Sequence, residues 1–268
     1  MPGRVVVLFL GVLFLIPLPS AGAQATPLTP SQTISFSTTN AIGPNALIQG
    51  KDGLFYGTTA FGGSASVQAC TDTSGNAANC CTDPSGTVAA CGTVFSFDPA
   101  TSKITVLYSF TGGADGGSPT GLVQGGDGYL YGTTLTGGAS AAQTACASTD
   151  SQGMPIQVPC CLDPSATINV GCGTVFRIST SGQSFQTLNS FYTADANGNF
   201  ANSGAFPGPL VPGANIPGAN VAPGSTASNF FGTTLACSVC DSATGILFSL
   251  ASPASGSAQV GLVYDFHT

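Results

Sequence analysis

Ten cysteines carry most of the chemistry that this sequence offers. Eight fall into two clusters with one pattern: a single, a vicinal pair, a single. The first is Cys70, Cys80, Cys81 and Cys91; the second is Cys146, Cys160, Cys161 and Cys172. The remaining two, Cys237 and Cys240, form a C-x-x-C. Four thiolates in one loop could hold Zn²⁺, but structural zinc sites use closely paired C-x₂₋₄-C knuckles that these clusters lack. Disulfides fit better. A vicinal pair bridged to itself is strained, so each member is expected to bond a flanking cysteine. That gives two bridges per cluster, with three connectivities formally open. Each bridge would contribute about 3 kcal/mol through loop closure. A redox role for Cys237 and Cys240 would need a thiolate stabilised near a helix N-terminus. Their neighbours, Thr-Thr-Leu-Ala and Asp-Ser-Ala-Thr-Gly, read instead as a hairpin loop held by a short structural bridge.

Catalytic groups are scarce. The single histidine, His267, lies beside the last residue, where a Ser-His-Asp or Cys-His site would have to rest on it. There is no G-x-S-x-G, P-loop or G-x-G-x-x-G. Paired carboxylates of the glycosidase kind would have to come from Asp, since all eleven acidic residues are Asp. Asp52, Asp115 and Asp127 adjoin Gly, while Asp83, Asp98 and Asp163 precede Pro, which are turn-forming contexts. Asp195-Ala196-Asn197-Gly198-Asn199 loosely resembles a Ca²⁺ loop but lacks its distal Glu. No catalytic, cofactor-binding or metal-binding residue is assigned, and the chain is read as non-enzymatic. The competing reading is a carbohydrate-active enzyme that uses Asp residues.

The elements that must position these residues follow from composition. Charged residues make up only 6% of the chain against 43% hydrophobic, and Gly and Pro are abundant. Asp, Asn and Gly favour turns; Thr, Val and Phe favour strands. An all-β fold of short strands is expected. The net charge of −7 excludes the cationic face that phosphate backbones require, so nucleic acid is not an expected partner. At the N-terminus, Arg4, the apolar run Val5 to Leu18 and Ala21-Gly22-Ala23 read as a signal peptide over residues 1–23. No later stretch is long and apolar enough to span a bilayer as a helix. A secreted, extracellular or cell-envelope location is expected, which suits disulfides.

Self-comparison then finds three copies of one unit. Leu47-Ile48-Gln49-Gly50-Lys51-Asp52-Gly53-Leu54-Phe55-Tyr56-Gly57-Thr58-Thr59 recurs as Leu122-Val123-Gln124-Gly125-Gly126-Asp127-Gly128-Tyr129-Leu130-Tyr131-Gly132-Thr133-Thr134. A third copy keeps Leu210-Val211 and Phe230-Phe231-Gly232-Thr233-Thr234. Gly92-Thr93-Val94-Phe95, Gly173-Thr174-Val175-Phe176 and Gly245-Ile246-Leu247-Phe248 follow downstream. Closing strands end at Phe110, Phe191 and Phe266. Four short antiparallel strands in tandem predict a partial or incomplete β-propeller; a β-solenoid or a stacked sandwich would be the alternatives. The expected organisation is a lead-in over 24–43 with one closing strand near 32–36, and repeat 1 over 44–110 with a cysteine-rich insertion at 64–91. Repeat 2 covers 111–191 with an insertion at 139–172, and a divergent repeat 3 covers 192–268. The recurring aromatics are expected in the core between repeats, and the insertions are the expected binding loops.

These residues resemble the Gloeo/Verruco (GloVer) tandem-repeat proteins. Ser109-Phe110-Thr111-Gly112-Gly113-Ala114-Asp115-Gly116-Gly117-Ser118-Pro119 and Leu130-Tyr131-Gly132-Thr133-Thr134 carry the resemblance, which covers roughly residues 31–268. It implies export, a propeller-like array and often a surface anchor, with no established activity. The sequence given holds three full units and reaches no anchor, where closed propellers have four to eight blades, so a truncated or partial array is expected. Further repeats beyond this sequence, or self-association, would be needed to close a ring. A protein or glycan is the expected ligand, and no cofactor is expected.

Overall fold

The computed structural model describes residues 42–67, 69–72, 76–79, 81, 90–138, 146–149, 155–158, 161, 168–191, 193–194, 200–201, 204–213, 228–236, 245–252 and 259–265. All of them belong to one compact unit, Ser35–Thr268. The expected signal peptide, the lead-in strand near 32–36, Cys80, Cys160, Cys237, Cys240, the Asp195 loop and His267 lie outside the described residues. The described elements are all strands.

In chain order the first are β1 (Ile42–Pro44), β2 (Ile48–Gln49), β3 (Phe55–Phe61), β4 (Ala69–Asp72), β5 (Ala77–Asn79), β6 (Thr93–Asp98) and β7 (Lys103–Ser109). Strands β1, β3, β6 and β7 form an antiparallel sheet in that order, with β2 also on β3. Next come β8 (Gly117–Gln124), β9 (Leu130–Thr136), β10 (Cys146–Thr149), β11 (Pro155–Val158), β12 (Ile168–Asn169), β13 (Thr174–Ile178) and β14 (Gln186–Ser190). The second sheet runs β8, β9, β13, β14. Last are β15 (Thr193–Ala194), β16 (Phe200–Ala201), β17 (Ala205–Pro207), β18 (Val211–Gly213), β19 (Ser228–Ala236), β20 (Ile246–Ser252) and β21 (Gln259–Asp265). The third sheet runs β17, β19, β20, β21, with β18 on β19.

The three sheets share one register. Gly57 lies opposite Phe95, Gly132 opposite Phe176 and Gly232 opposite Phe248. Each Phe ring occupies the space that a side chain on that glycine would need: a Cβ on Gly57, Gly132 or Gly232 would lie 2.7, 2.6 or 2.4 Å from the ring. The register slips at the same place in each sheet's outermost pair, between Val94 and Phe95, Val175 and Phe176, and Leu247 and Phe248. The shared bulge places Leu107, Leu188 and Val263 at matching positions on the outermost strands.

The core sits between successive sheets. Tyr56, Val94 and Phe110 of the first sheet and its closing residue meet Leu122, Leu130, Phe176 and Ile178 of the second. Tyr131, Val175 and Phe191 meet Leu210, Phe230, Phe248 and Leu250 of the third. The two lists correspond position by position. Their rings pair likewise: Phe110 meets Phe176 edge-on at 5.2 Å, and Phe191 meets Phe248 at 5.1 Å. Burying a side chain of this size is worth about 1.5–3 kcal/mol, so each interface is a substantial apolar contact. No sheet closes on itself among the described residues.

Candidate functional site

The link between β3 and β6, and that between β9 and β13, leave the same end of their sheets. These are the two cysteine-rich insertions. They do not project independently. Strand β12 of the second insertion pairs antiparallel with β4 of the first, Ile168 opposite Asp72 and Asn169 opposite Thr71. With β4 paired to β5 on its other side, the two insertions share one three-stranded sheet. A separate hairpin, β10 with β11, extends the second insertion, with Cys146 opposite Val158. Residues 71–72 and 168–169 carry no alternating pattern, and nothing in the sequence signals their pairing.

Each insertion is anchored at its base. Cys81 bonds Cys91 and Cys161 bonds Cys172, both with Cα atoms 5.1 Å apart. In both cases the second member of the vicinal pair takes the downstream single cysteine, a choice among flanking partners that the sequence leaves open. All four side chains are buried within the cores between sheets. Cys70 is the second residue of β4, and Cys146 is the first of β10. The pairing of the other six cysteines falls outside what is described. The anchors also reach the next sheet: the Ser118 N–H donates to the Cys91 carbonyl at 2.8 Å, and the Phe206 N–H to that of Cys172 at 2.9 Å. Both donors have left-handed backbones, with φ of 50° and 56°. That conformation costs a non-glycine residue on the order of 1–3 kcal/mol, and the same geometry appears twice where a disulfide meets the following sheet.

The opposite end carries the Asp-Gly turns, whose carboxylates are hydrogen-bonded within their own sheets. The Tyr56 hydroxyl donates to Asp52 Oδ2 at 2.6 Å while Asp52 Oδ1 accepts the Leu54 N–H at 3.2 Å. Tyr131 and Asp127 repeat this at 2.6 Å, with the Tyr129 N–H at 3.2 Å. The carboxylate thus ties the turn to a ring buried between sheets. Burial first, then the Asp52 bond and charge, push the Tyr56 hydroxyl up to about 12. Asp98 closes its turn by accepting from the Ala100 N–H (2.8 Å) and the Thr101 hydroxyl (2.7 Å), and these bonds lower its pKa. Asp115 accepts from the Thr111 N–H at 2.8 Å, from the Thr111 hydroxyl, and from the Tyr108 hydroxyl at 3.1 Å. Burial of Tyr108, with the Asp115 charge beside it, raises the pKa of that phenol. Asp52, Asp98, Asp115 and Asp127 are therefore each engaged by their own turns.

Among the described residues no cluster of three or more His, Cys, Asp or Glu could hold a metal ion. No described helix is long and apolar enough to cross a membrane. The recurring aromatics Tyr56, Tyr131, Phe95, Phe176 and Phe248 are buried, and Phe231 is half-buried. They build the cores rather than an open platform. No protein-family model matches the chain, and no curated protein matches it.

Proposed function

We propose that this chain is an exported, non-enzymatic repeat module of propeller-like build, of the kind the GloVer resemblance implies, that binds a protein or glycan through its cysteine-rich insertions. The observation that carries the reading is the pairing of β12 with β4. It fuses two loops from different sheets into one surface at one end of the stack, and the Cys81–Cys91 and Cys161–Cys172 bonds hold that surface rigidly at its base. Rigid presentation lowers the ordering cost of binding. Disulfide-bonded cysteines also suit an oxidising, extracellular compartment. The engagement of Asp52, Asp98, Asp115 and Asp127 in their own turns favours binding over carboxylate catalysis.

The test is a glycan and protein array probed with the whole chain, followed by hydrogen-exchange footprinting of any hit. Protection over residues 69–79, 146–158 and 168–169 is expected. Protection confined to the Asp-Gly turns at 50–53 and 125–128 would overturn the assignment, and so would turnover of any member of a polysaccharide panel. Excising the whole of 64–91 is a poor substitute, because Cys81 and Cys91 belong to the core.

A further inference from the structure

We infer that the two open faces of the stack bind each other in a second copy of the chain, the third sheet of one copy packing head to tail on the first sheet of the other. The chain itself shows what covers each kind of face. The leading face of a sheet presents a leucine to the sheet before it: Leu122 is 6% exposed and Leu210 is 5% exposed. Among the described residues no sheet precedes the first, and its matching residue, Leu47, is 50% exposed. Around it lie Phe55 and Phe97, ring centroids 6.4 Å apart and only half-buried, at the positions of buried Leu130 and Ile178 in the second sheet. Pro44 is exposed as well, whereas Pro119 and Pro207 at the same register are buried.

The trailing face shows the complementary gap. Ile48 and Val123 pack into the two cores, as do the bulge residues Leu107 and Leu188. Their counterparts on the third sheet are Val211, 56% exposed, and Val263, 45% exposed. Phe231 is half-buried where Tyr56 and Tyr131 are fully buried. The third sheet therefore offers the apolar surface that the first and second sheets use to hold a following sheet, and the first sheet offers the surface that the second and third use to be held. A second copy supplies both halves in the register already made twice within the chain. Such a contact is heterologous, and it closes when the rotation per sheet permits. Counted over the described residues, two copies bring six such sheets, within the four to eight of closed propellers.

This inference rests on the propeller-like reading of the stack. It is measured by mass rather than by ligand binding, so the failure of one is distinguishable from the failure of the other. The whole chain, produced in an oxidising compartment, should sediment at twice the mass of one chain. Leu47→Asp and Val211→Asp, both at exposed positions, should each sediment as single chains with unchanged circular dichroism. Mixing the two should restore a dimer, because the trailing face of one and the leading face of the other remain intact. Should either variant fail to fold, Leu47→Ala and Val211→Ala carry the same test, each raising the dissociation constant roughly tenfold. A single-chain mass for the unsubstituted protein, an open series of multiples, dimers that survive either Asp substitution, or no dimer on mixing would each overturn the proposal.

Discussion

The first two sheets and the third are built on the same register but keep different things. In the first two, an Asp-Gly turn is tied to a buried Tyr, and a threonine pair joins the second and third strands: Thr59 with Thr93 at 2.9 Å, Thr134 with Thr174 at 2.8 Å. In the third, Phe231 stands where the Tyr would be and Ile246 where the second Thr would be. The Thr234 hydroxyl still accepts the Ile246 N–H at 3.0 Å, as Thr134 accepts that of Thr174. The third sheet retains Leu210, Phe230, Phe248 and Leu250, the residues that face the second sheet. Packing against a neighbour has therefore been kept, while the Tyr hydroxyl and the second Thr that make these ties in the first two sheets have not. Stacking and turn-locking are separable in this architecture.

That separation can be broken or sharpened by substitution. Phe176→Ala should cost about 3–5 kcal/mol of unfolding free energy, the usual range for a buried phenylalanine, and Phe248→Ala should cost a similar amount in denaturant titrations. A large inequality between them would mean that the two interfaces are not equivalent. Replacing both Cys81 and Cys91 by Ser should cost about 3 kcal/mol, as should replacing both Cys161 and Cys172. Equal losses are expected in thermal unfolding because the two loops have nearly equal length, 10 and 11 residues. Tyr56→Phe and Tyr131→Phe should each lose about 1.5 kcal/mol by removing a bond to a carboxylate. At Phe231 no such tie exists to remove, so Phe231→Tyr should bring no comparable gain.

The smaller effects are in pH dependence. The Tyr56 hydroxyl titrates from 10.0 when unfolded to about 12 when folded. Because the folded value is the higher one, its contribution is complete below pH 10 and is lost as the pH rises through the window to about 12. Tyrosinate absorbance should therefore develop late, coincident with unfolding, and Tyr56→Phe should flatten that alkaline limb. Asp98 behaves in the opposite sense. Its folded pKa is lowered, so its small contribution is present at neutral pH and disappears as acid protonates it. Asp98→Asn should reduce the acid dependence of the unfolding midpoint slightly.

The strand content and internal register were legible because Gly-Thr-Thr and Val-Phe recur, and a ring lying over a cross-strand glycine demands both residues together. The structure also returned one bridge in each cluster of the kind that vicinal strain implied. Two features were not legible. Taken alone, Asp52 signals a turn and Tyr56 a core position; the signal that joins them is their spacing, which recurs at Asp127 and Tyr131. The pairing of β4 with β12 left no trace, because a two-residue backbone ladder places little demand on side chains. The arrangement of three antiparallel sheets matches the expected strand pattern, and none of them closes among the described residues.

The β4–β12 ladder also has a consequence in time. As the chain leaves the ribosome, β4 emerges about a hundred residues before its partner, a separation of the kind that slows folding. Until β12 arrives, one edge of β4 stays unpaired, which is a hazard for pairing with the wrong chain. Once the chain reaches an oxidising compartment, the Cys81–Cys91 bond can close without waiting for β12, since both cysteines lie in the first insertion. The first insertion would then wait as a clasped but incomplete template, and the second would finish it.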